Sequence, residues 1–362
     1  MKLATYKDGT RDGQLIVVSK DLTHAHYASQ IANKMQEVLD DWNFISPQLE
    51  EVYQTLNAGR ARQAFTFDPK MCMAPLPRAY QWADGSAFVN HIELVRAARG
   101  ADMPETLLDE PLIYQGGSDD FLGPTDPIRC SSEAYGIDFE AEVAVITADV
   151  PMQTSSVDAV SAVRLVMLAN DVSLRQLIPG EISKGFGFYQ SKPATAFSPV
   201  AVTLDEISHA WRDGRLHLTI TSTWNARRVG MCDAGPEMTF GFGELIAHAA
   251  KTRNIRAGSI FGSGTVSNKA VDNNGYKEWP KGYSCIAEKR AIEMIQDGKS
   301  TTEYMKYGDT IRIEAKGTDG QSVFGAIEQV VAPSTESNNL TTPVATTITA
   351  STNKGDSLSE EN

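Results

Sequence analysis

No stretch of this 362-residue chain approaches the roughly 20 apolar residues of a membrane span. Cysteine is scarce. Cys72, Cys130, Cys232 and Cys285 stand far apart with no Cys-x-x-Cys pair, which argues against a disulfide scaffold or a thiolate zinc site. Positive charge is in deficit: 33 Lys and Arg against 46 Asp and Glu give a formal charge of −13. Nucleic acid and anionic membranes both require a basic face, so neither is expected as a partner. Residues 1–9 turn polar too early for a secretory signal, and the phosphate loop Gly-x-x-x-x-Gly-Lys-Ser/Thr is absent. The expectation is a soluble cytoplasmic protein. If such an acidic chain handles an anionic substrate, a metal or placed Arg and Lys must supply the local positive charge.

What is present suggests two domains. Residues 2–7 and 15–20 read as strands joined through Asp8-Gly9 and Asp12-Gly13. A helix is expected over 26–40, with Ile31, Met35, Val38, Leu39 and Trp42 on one face. A second should open at Ser46-Pro47, cap then proline, and stop at Gly59. Because this unit holds no catalytic constellation, residues 1–73 read as a structural cap. After the stiff Met73-Ala74-Pro75-Leu76-Pro77 connector, residues 74–331 read as the catalytic domain. Helices are expected at 87–98 and 240–252, and strands at 139–147, 164–172, 216–223, 310–314 and 323–331. That distribution predicts an α+β fold, mainly β, and not a doubly wound sheet. Residues 332–362 are rich in Ser, Thr and Asn and are expected to form a disordered tail.

The sharpest local feature is Ile137-Asp138-Phe139-Glu140-Ala141-Glu142-Val143. Read as a strand, it sets Asp138, Glu140 and Glu142 on one face, roughly 6–7 Å apart in succession. Such carboxylates can converge on one hard cation, and oxygen-only ligation favours Mg²⁺, Ca²⁺ or Mn²⁺ over zinc. A solvated acidic face is the alternative. Two further signals stand beside it. The apolar run Leu165-Val166-Met167-Leu168-Ala169 ends at Asn170-Asp171, where a buried acid is costly unless paired or ligated. Asp84 also lies seven residues before His91.

Taken in order, Asp84 with His91, Glu140-x-Glu142, Asn170-Asp171-Val172-Ser173-x-Arg175, Lys192, Gly262-Ser263-Gly264-Thr265 and Gly282-Tyr283-Ser284-Cys285-Ile286-Ala287-Glu288 resemble the fumarylacetoacetate hydrolase family. The resemblance runs along nearly the whole chain to about Val331. It implies Asp84, Glu140, Glu142 and Asp171 as metal ligands, for Mg²⁺ or Ca²⁺ with Mn²⁺ a third candidate. It implies His91 as the catalytic base, oriented by Glu288, with Arg175 and Lys192 as catalytic cations. Tyr114, Arg175, Lys192 and Thr265 fall where the family contacts substrate. The implied fold is a small N-terminal β-rich domain plus a larger mixed β-sandwich roll, usually a homodimer. The implied reaction cleaves a carbon–carbon bond in a diketo acid, most directly fumarylacetoacetate to fumarate and acetoacetate in tyrosine and phenylalanine catabolism.

Departures bear on substrate identity. Ile178 stands where eukaryotic members have glutamine, Ser86 where they have tyrosine, and Thr195 falls one residue closer to Lys192 than in many relatives. Within the family the alternatives are an acylpyruvate hydrolase and a keto-acid decarboxylase or isomerase. Outside enzymes the alternative is a metabolite-binding β protein with a structural Ca²⁺.

Overall fold

Alternating apolar residues build one large sheet. The computed structural model describes residues 1–334 except 99, 101, 104 and 105, so the predicted tail lies almost wholly outside the described residues. Eleven strands form the sheet, which begins with Phe65–Thr66, His24–Tyr27, Gln14–Val18 and Lys2–Tyr6. It continues through Ala201–Thr203, Val163–Asn170, Ala141–Thr147, Ile260–Gly262, Trp82–Gly85 and Ile113–Gly116. Ala196–Phe197 also pairs with Val163–Asn170. A five-stranded sheet contains Arg227–Asp233, Thr219–Trp224, Thr310–Ala315, Ile327–Pro333 and Ile128–Cys130.

The central strands are buried on both faces, which is why they read as continuous apolar runs. Val143, Val145, Val166 and Leu168 pack in one core with Ile220, Ile311, Ile313 and Ile327 of the smaller sheet. Ala144, Ile146, Leu165 and Met167 face the other way, against Met35, Val38, Leu39 and Leu49. Those last four lie on the helices Met35–Asp40 and Trp42–Asn57. The fold is therefore mainly β, a small N-terminal unit on a larger C-terminal β-sandwich. The two share a sheet: Lys2 pairs with Val202 and Leu3 with Ala201. No helix among the described residues is long and apolar enough to cross a membrane.

Several expected elements shift. His26 lies in the strand His24–Tyr27 opposite Val17, and the helix expected from residue 26 begins only at Met35. Pro47 lies inside Trp42–Asn57 instead of opening it, because Trp42 and Ile45 pack on the core and extend the helix N-terminally. The 12-residue helix Ile286–Asp297 was not expected; Cys285 caps its start, and Gly298, at φ 72°, ends it. Ala332 and Pro333, assigned to the tail by composition, pair with Arg129 and Cys130 at the end of the last strand.

Lys2 is buried in the first strand and donates to the Val323 carbonyl at 2.7 Å. Burial lowers its pKa from 10.5 to about 8, against the opposing pull of Glu206. The unfolded chain therefore binds the proton more tightly, and stability rises with pH through that window. The gain is about 3 kcal/mol at most. Lys2→Met is expected to flatten the rise, read by urea unfolding at pH 7.5 and about 10.

Candidate active site

Three acids extend one face of the large sheet at its strand ends. Asp84 lies two residues after Trp82, Glu142 two before Ala144, and Asp171 two after Ala169, so each inherits the face of its buried neighbour. Gly262 pairs with both Asp84 and Ala144, and Ala169 with Glu142, which sets the three carboxylates side by side. One oxygen from each lies within 4.8 Å of the others, and all three residues are buried. Glycine is required between them, since a Cβ at Gly262 would stand 2.1 Å from Asp84 Oδ1. Gly264, in the left-handed region at φ 73°, donates its N–H to the same oxygen at 3.1 Å. The Gly262-Ser263-Gly264 motif thus serves the approach of an acid.

The neighbouring acids are held differently. Regular strand structure is interrupted at Phe139 and Glu140, where Asn170 Oδ1 accepts the Glu140 N–H at 3.0 Å. Asp138 does not join the cluster, contrary to the expectation of three acids on one cation. It accepts the Ile286 and Ala287 N–H groups at the start of the helix, and Arg175 Nε at 2.8 Å. Glu140 accepts from Arg175 Nη2 and Lys192 Nζ, each at 2.5 Å. Lys192 reaches on to Asp171 Oδ2 at 2.6 Å and lies 5.1 Å from the centre of the Tyr114 ring. Tyr114 and Thr195 also donate to Asp171, at 2.5 and 2.6 Å.

Electrostatics separates these acids into two kinds. Burial opposes ionisation of Glu140, yet Lys192 and Arg175 beside it hold its pKa at about 2. Burial and then the Asp171 charge push Asp84 well above the ordinary carboxylate range; burial, then Asp84 and Asp171, do the same to Glu142. With all five buried carboxylates (Asp84, Asp138, Glu140, Glu142, Asp171) ionised against two cations (Arg175, Lys192) the site would carry a deficit of three charges, and a divalent ion would reduce it to one.

Both oxygens of Glu142 are buried with no hydrogen-bond donor among the described residues. Buried carboxylate oxygens without a donor are expensive, and a hard cation between Asp84, Glu142 and Asp171 relieves the cost. The donor set therefore fits Mg²⁺, Ca²⁺ or Mn²⁺. Glu140 lies outside this tight trio, engaged by its two cations.

His91 sits on the helix Val89–Ala97, and its Nδ1 meets Glu288 Oε1 at 3.0 Å. Glu288 is buried in the first turn of Ile286–Asp297, so the unexpected helix delivers it. Cys285, grouped with this pair, accepts the Glu288 N–H at 3.4 Å, and burial followed by Asp138 raises its thiol pKa well above the ordinary value. That disfavours the thiolate a softer metal needs. Thr265 is buried just beyond Gly264, with no hydrogen bond to the acids among the described residues.

Sequence reasoning named Thr195 as a departure bearing on substrate, not as a partner of Asp171. Its signal was the three-residue spacing from Lys192, which brings two donors to Asp171 from one segment. Thr195→Val is expected to weaken divalent-ion affinity by about 10–100-fold with little change in melting temperature, read by calorimetric titration with Mn²⁺.

A family model described as fumarylacetoacetate (FAA) hydrolase C-terminal matches residues 81–332, and one described as fumarylacetoacetase N-terminal domain 2 matches residues 1–78. The chain belongs to the fumarylacetoacetate hydrolase family. Within this family it is 30% identical over 160 residues to the mitochondrial oxaloacetate tautomerase fahd2 of Xenopus laevis. That alignment covers 43% of this chain and about half, 47%, of the relative. Among solved structures, a fumarylacetoacetate hydrolase from Exiguobacterium antarcticum aligns at TM-score 0.62 and 16% identity, over 92% of this chain and 100% of that one. A maleylpyruvate hydrolase from Sphingobium sp. SYK-6, solved with manganese(II) and pyruvate, aligns at TM-score 0.60 and 15% identity over the same 92% and 100%. At such identities these structures show the shared fold. The family's enzymes include hydrolases, isomerases and tautomerases.

Proposed function

We propose that this family member hydrolyses a carbon–carbon bond in a small diketo acid with the help of a divalent cation, fumarylacetoacetate being the substrate and fumarate and acetoacetate the products. The observation that carries the reading is the hydrogen-bonded His91–Glu288 pair, whose imidazole lies near enough to Glu140 to favour its ionised form. Hydrolysis needs an activated water, and the pair suits that task. A proton on His91 Nδ1, directed at Glu288, leaves Nε2 with a lone pair to take a proton from water. Buried Glu288 then stabilises the imidazolium.

Asp84, Glu142 and Asp171 would hold the cation, with Glu140 as a fourth ligand once released from its own cations. When bound, the cation supplies Lewis-acid polarisation of the keto oxygens. Arg175 uses Nε and Nη2 on acids, which leaves Nη1 for a substrate carboxylate. Burial opposes the charge of Lys192, but Asp171 and Glu140 raise its pKa, so it remains a cation able to face developing negative charge. Tyr114 orients Asp171 and presents its ring to substrate, and Thr265 contacts the substrate from the Gly264 turn. The working unit is a homodimer.

A second reading is keto–enol tautomerisation, favoured by the identity to the Xenopus tautomerase. It would use the same pair to move a proton on the substrate without water attack. Incubation with fumarylacetoacetate and Mg²⁺ should consume the diketo absorbance and release fumarate and acetoacetate. An intact diketo acid, together with accelerated oxaloacetate tautomerisation, would replace the first reading with the second.

A further inference from the structure

A second concave region lies between the hairpin of Thr219–Trp224 and Arg227–Asp233, the hairpin of Val271–Asn273 and Tyr276–Glu278, and the helix Ile286–Asp297. Its volume is about 700 Å³, within the range of small-molecule sites. Lys289, Ile292 and Gln296 line it from one face of the helix, at spacings of three and four residues. Glu288, one residue before Lys289, is turned to His91.

The lining runs against the charge of the chain. Arg227, Arg228, Lys277 and Lys289 are set against Glu278, a local balance of +3 in a protein of −13. Lys289 is partly neutralised by Glu293 at 3.5 Å, whose carboxylate also takes the Thr301 and Thr302 N–H groups. Arg227 and Arg228 make no side-chain hydrogen bond or ion pair among the described residues. Trp224, Trp279 and Tyr283 add flat apolar surface. Guanidiniums without a partner among the described residues, set beside flat ring surface, together describe a site for a flat anion.

The walls are fixed. Asp309 accepts Trp224 Nε1 at 3.2 Å and Asn225 Nδ2 at 2.8 Å, which anchors the tip of the first hairpin. Main-chain bonds from Met231 to Lys281 and from Tyr283 to Val229 tie that hairpin to the loop before the helix. Gly230 permits the close approach, since a Cβ there would stand 2.2 Å from the Tyr283 carbonyl oxygen.

We infer that this cavity binds a small aromatic carboxylate, its ring against Trp224 and Trp279 and its carboxylate on Arg227 and Arg228. The inference is independent of the reaction proposed for the acid cluster. Calorimetric titration with 2-naphthoate tests it, with 2-naphthalenemethanol as the uncharged control and Arg227→Ala/Arg228→Ala as the variant. Wild type should bind naphthoate at least about tenfold more tightly than either the control ligand or the variant allows, since both remove the charge-assisted hydrogen bonds. Both arginines are exposed, so the variant should melt at the wild-type temperature. Equal naphthoate affinity in the variant, or no binding to the folded wild type, overturns the inference.

Discussion

Replacing His91 with alanine is expected to lower turnover by about 10²–10⁴, the usual contribution of a general base, while divalent-ion binding persists. The geometry separates the two effects, because His91 belongs to the Glu288 pair and the trio of Asp84, Glu142 and Asp171 stands without it. Truncation also has a structural cost. Glu288 is buried, and without the imidazole its carboxylate keeps, among the described residues, only the Ser284 N–H at 3.5 Å, so about 1–3 kcal/mol of stability should be lost. His91→Asn retains a donor for Glu288 and separates catalysis from folding: it should recover stability but not turnover. Glu288→Gln should be milder than either, since an amide still orients the ring but cannot stabilise the imidazolium. Near wild-type turnover in both histidine variants would remove His91 from the mechanism and favour a reaction without an activated water.

The sequence made the acids legible because each stood at the edge of an apolar run. Asp171 follows the buried strand through Ala169, and Glu142 interrupts an otherwise apolar strand, so burial of charge could be inferred from chain order alone. What those acids bind could not. Period two assigned Asp138, Glu140 and Glu142 to one face, but Asp138 is held by the helix Ile286–Asp297, whose existence periodicity had not indicated. That helix hides its pattern. Ile286, Ala291 and Ile292 are its buried apolar positions, while Glu288 and Glu293 are buried as well, so the inward face reads as half charged. Its caps, Cys285 and Gly298, were the better signal. The shared sheet was illegible for another reason. Alternation reports which face of a strand is buried, whereas the pairing of Lys2 with Val202 joins residues 200 positions apart and leaves no local trace. Thr195 was read only as a departure bearing on substrate, because a single hydroxyl acquires its role at Asp171 only when Asp171 is known to lie beside it.

Glu142→Gln is expected to abolish divalent-ion binding and turnover together while raising the melting temperature of the metal-free protein. The opposite signs follow from one fact. Both Glu142 oxygens are buried beside Asp84 and Asp171 without a donor among the described residues, so the site is frustrated until a cation arrives. Burial, Asp84 and Asp171 already press the Glu142 carboxyl toward its neutral form, and an isosteric amide is neutral without taking up a proton and brings two N–H donors to the neighbouring carboxylates. The metal-free fold should gain about 1–3 kcal/mol. For the same reason the ion loses a charged ligand, and its affinity should fall by more than the roughly 10–100-fold that follows loss of an outer partner. Calorimetric titration with Mg²⁺ and Mn²⁺ reads the affinity, and thermal melts with and without EDTA read the stability. In wild type, EDTA should lower both the melting temperature and turnover, whereas in the variant it should change neither. A structural Ca²⁺ in a non-catalytic protein would give the wild-type melting shift with no turnover to lose. Unchanged ion affinity in Glu142→Gln would remove the cation from the acid cluster, and with it the Lewis-acid part of the proposed hydrolysis.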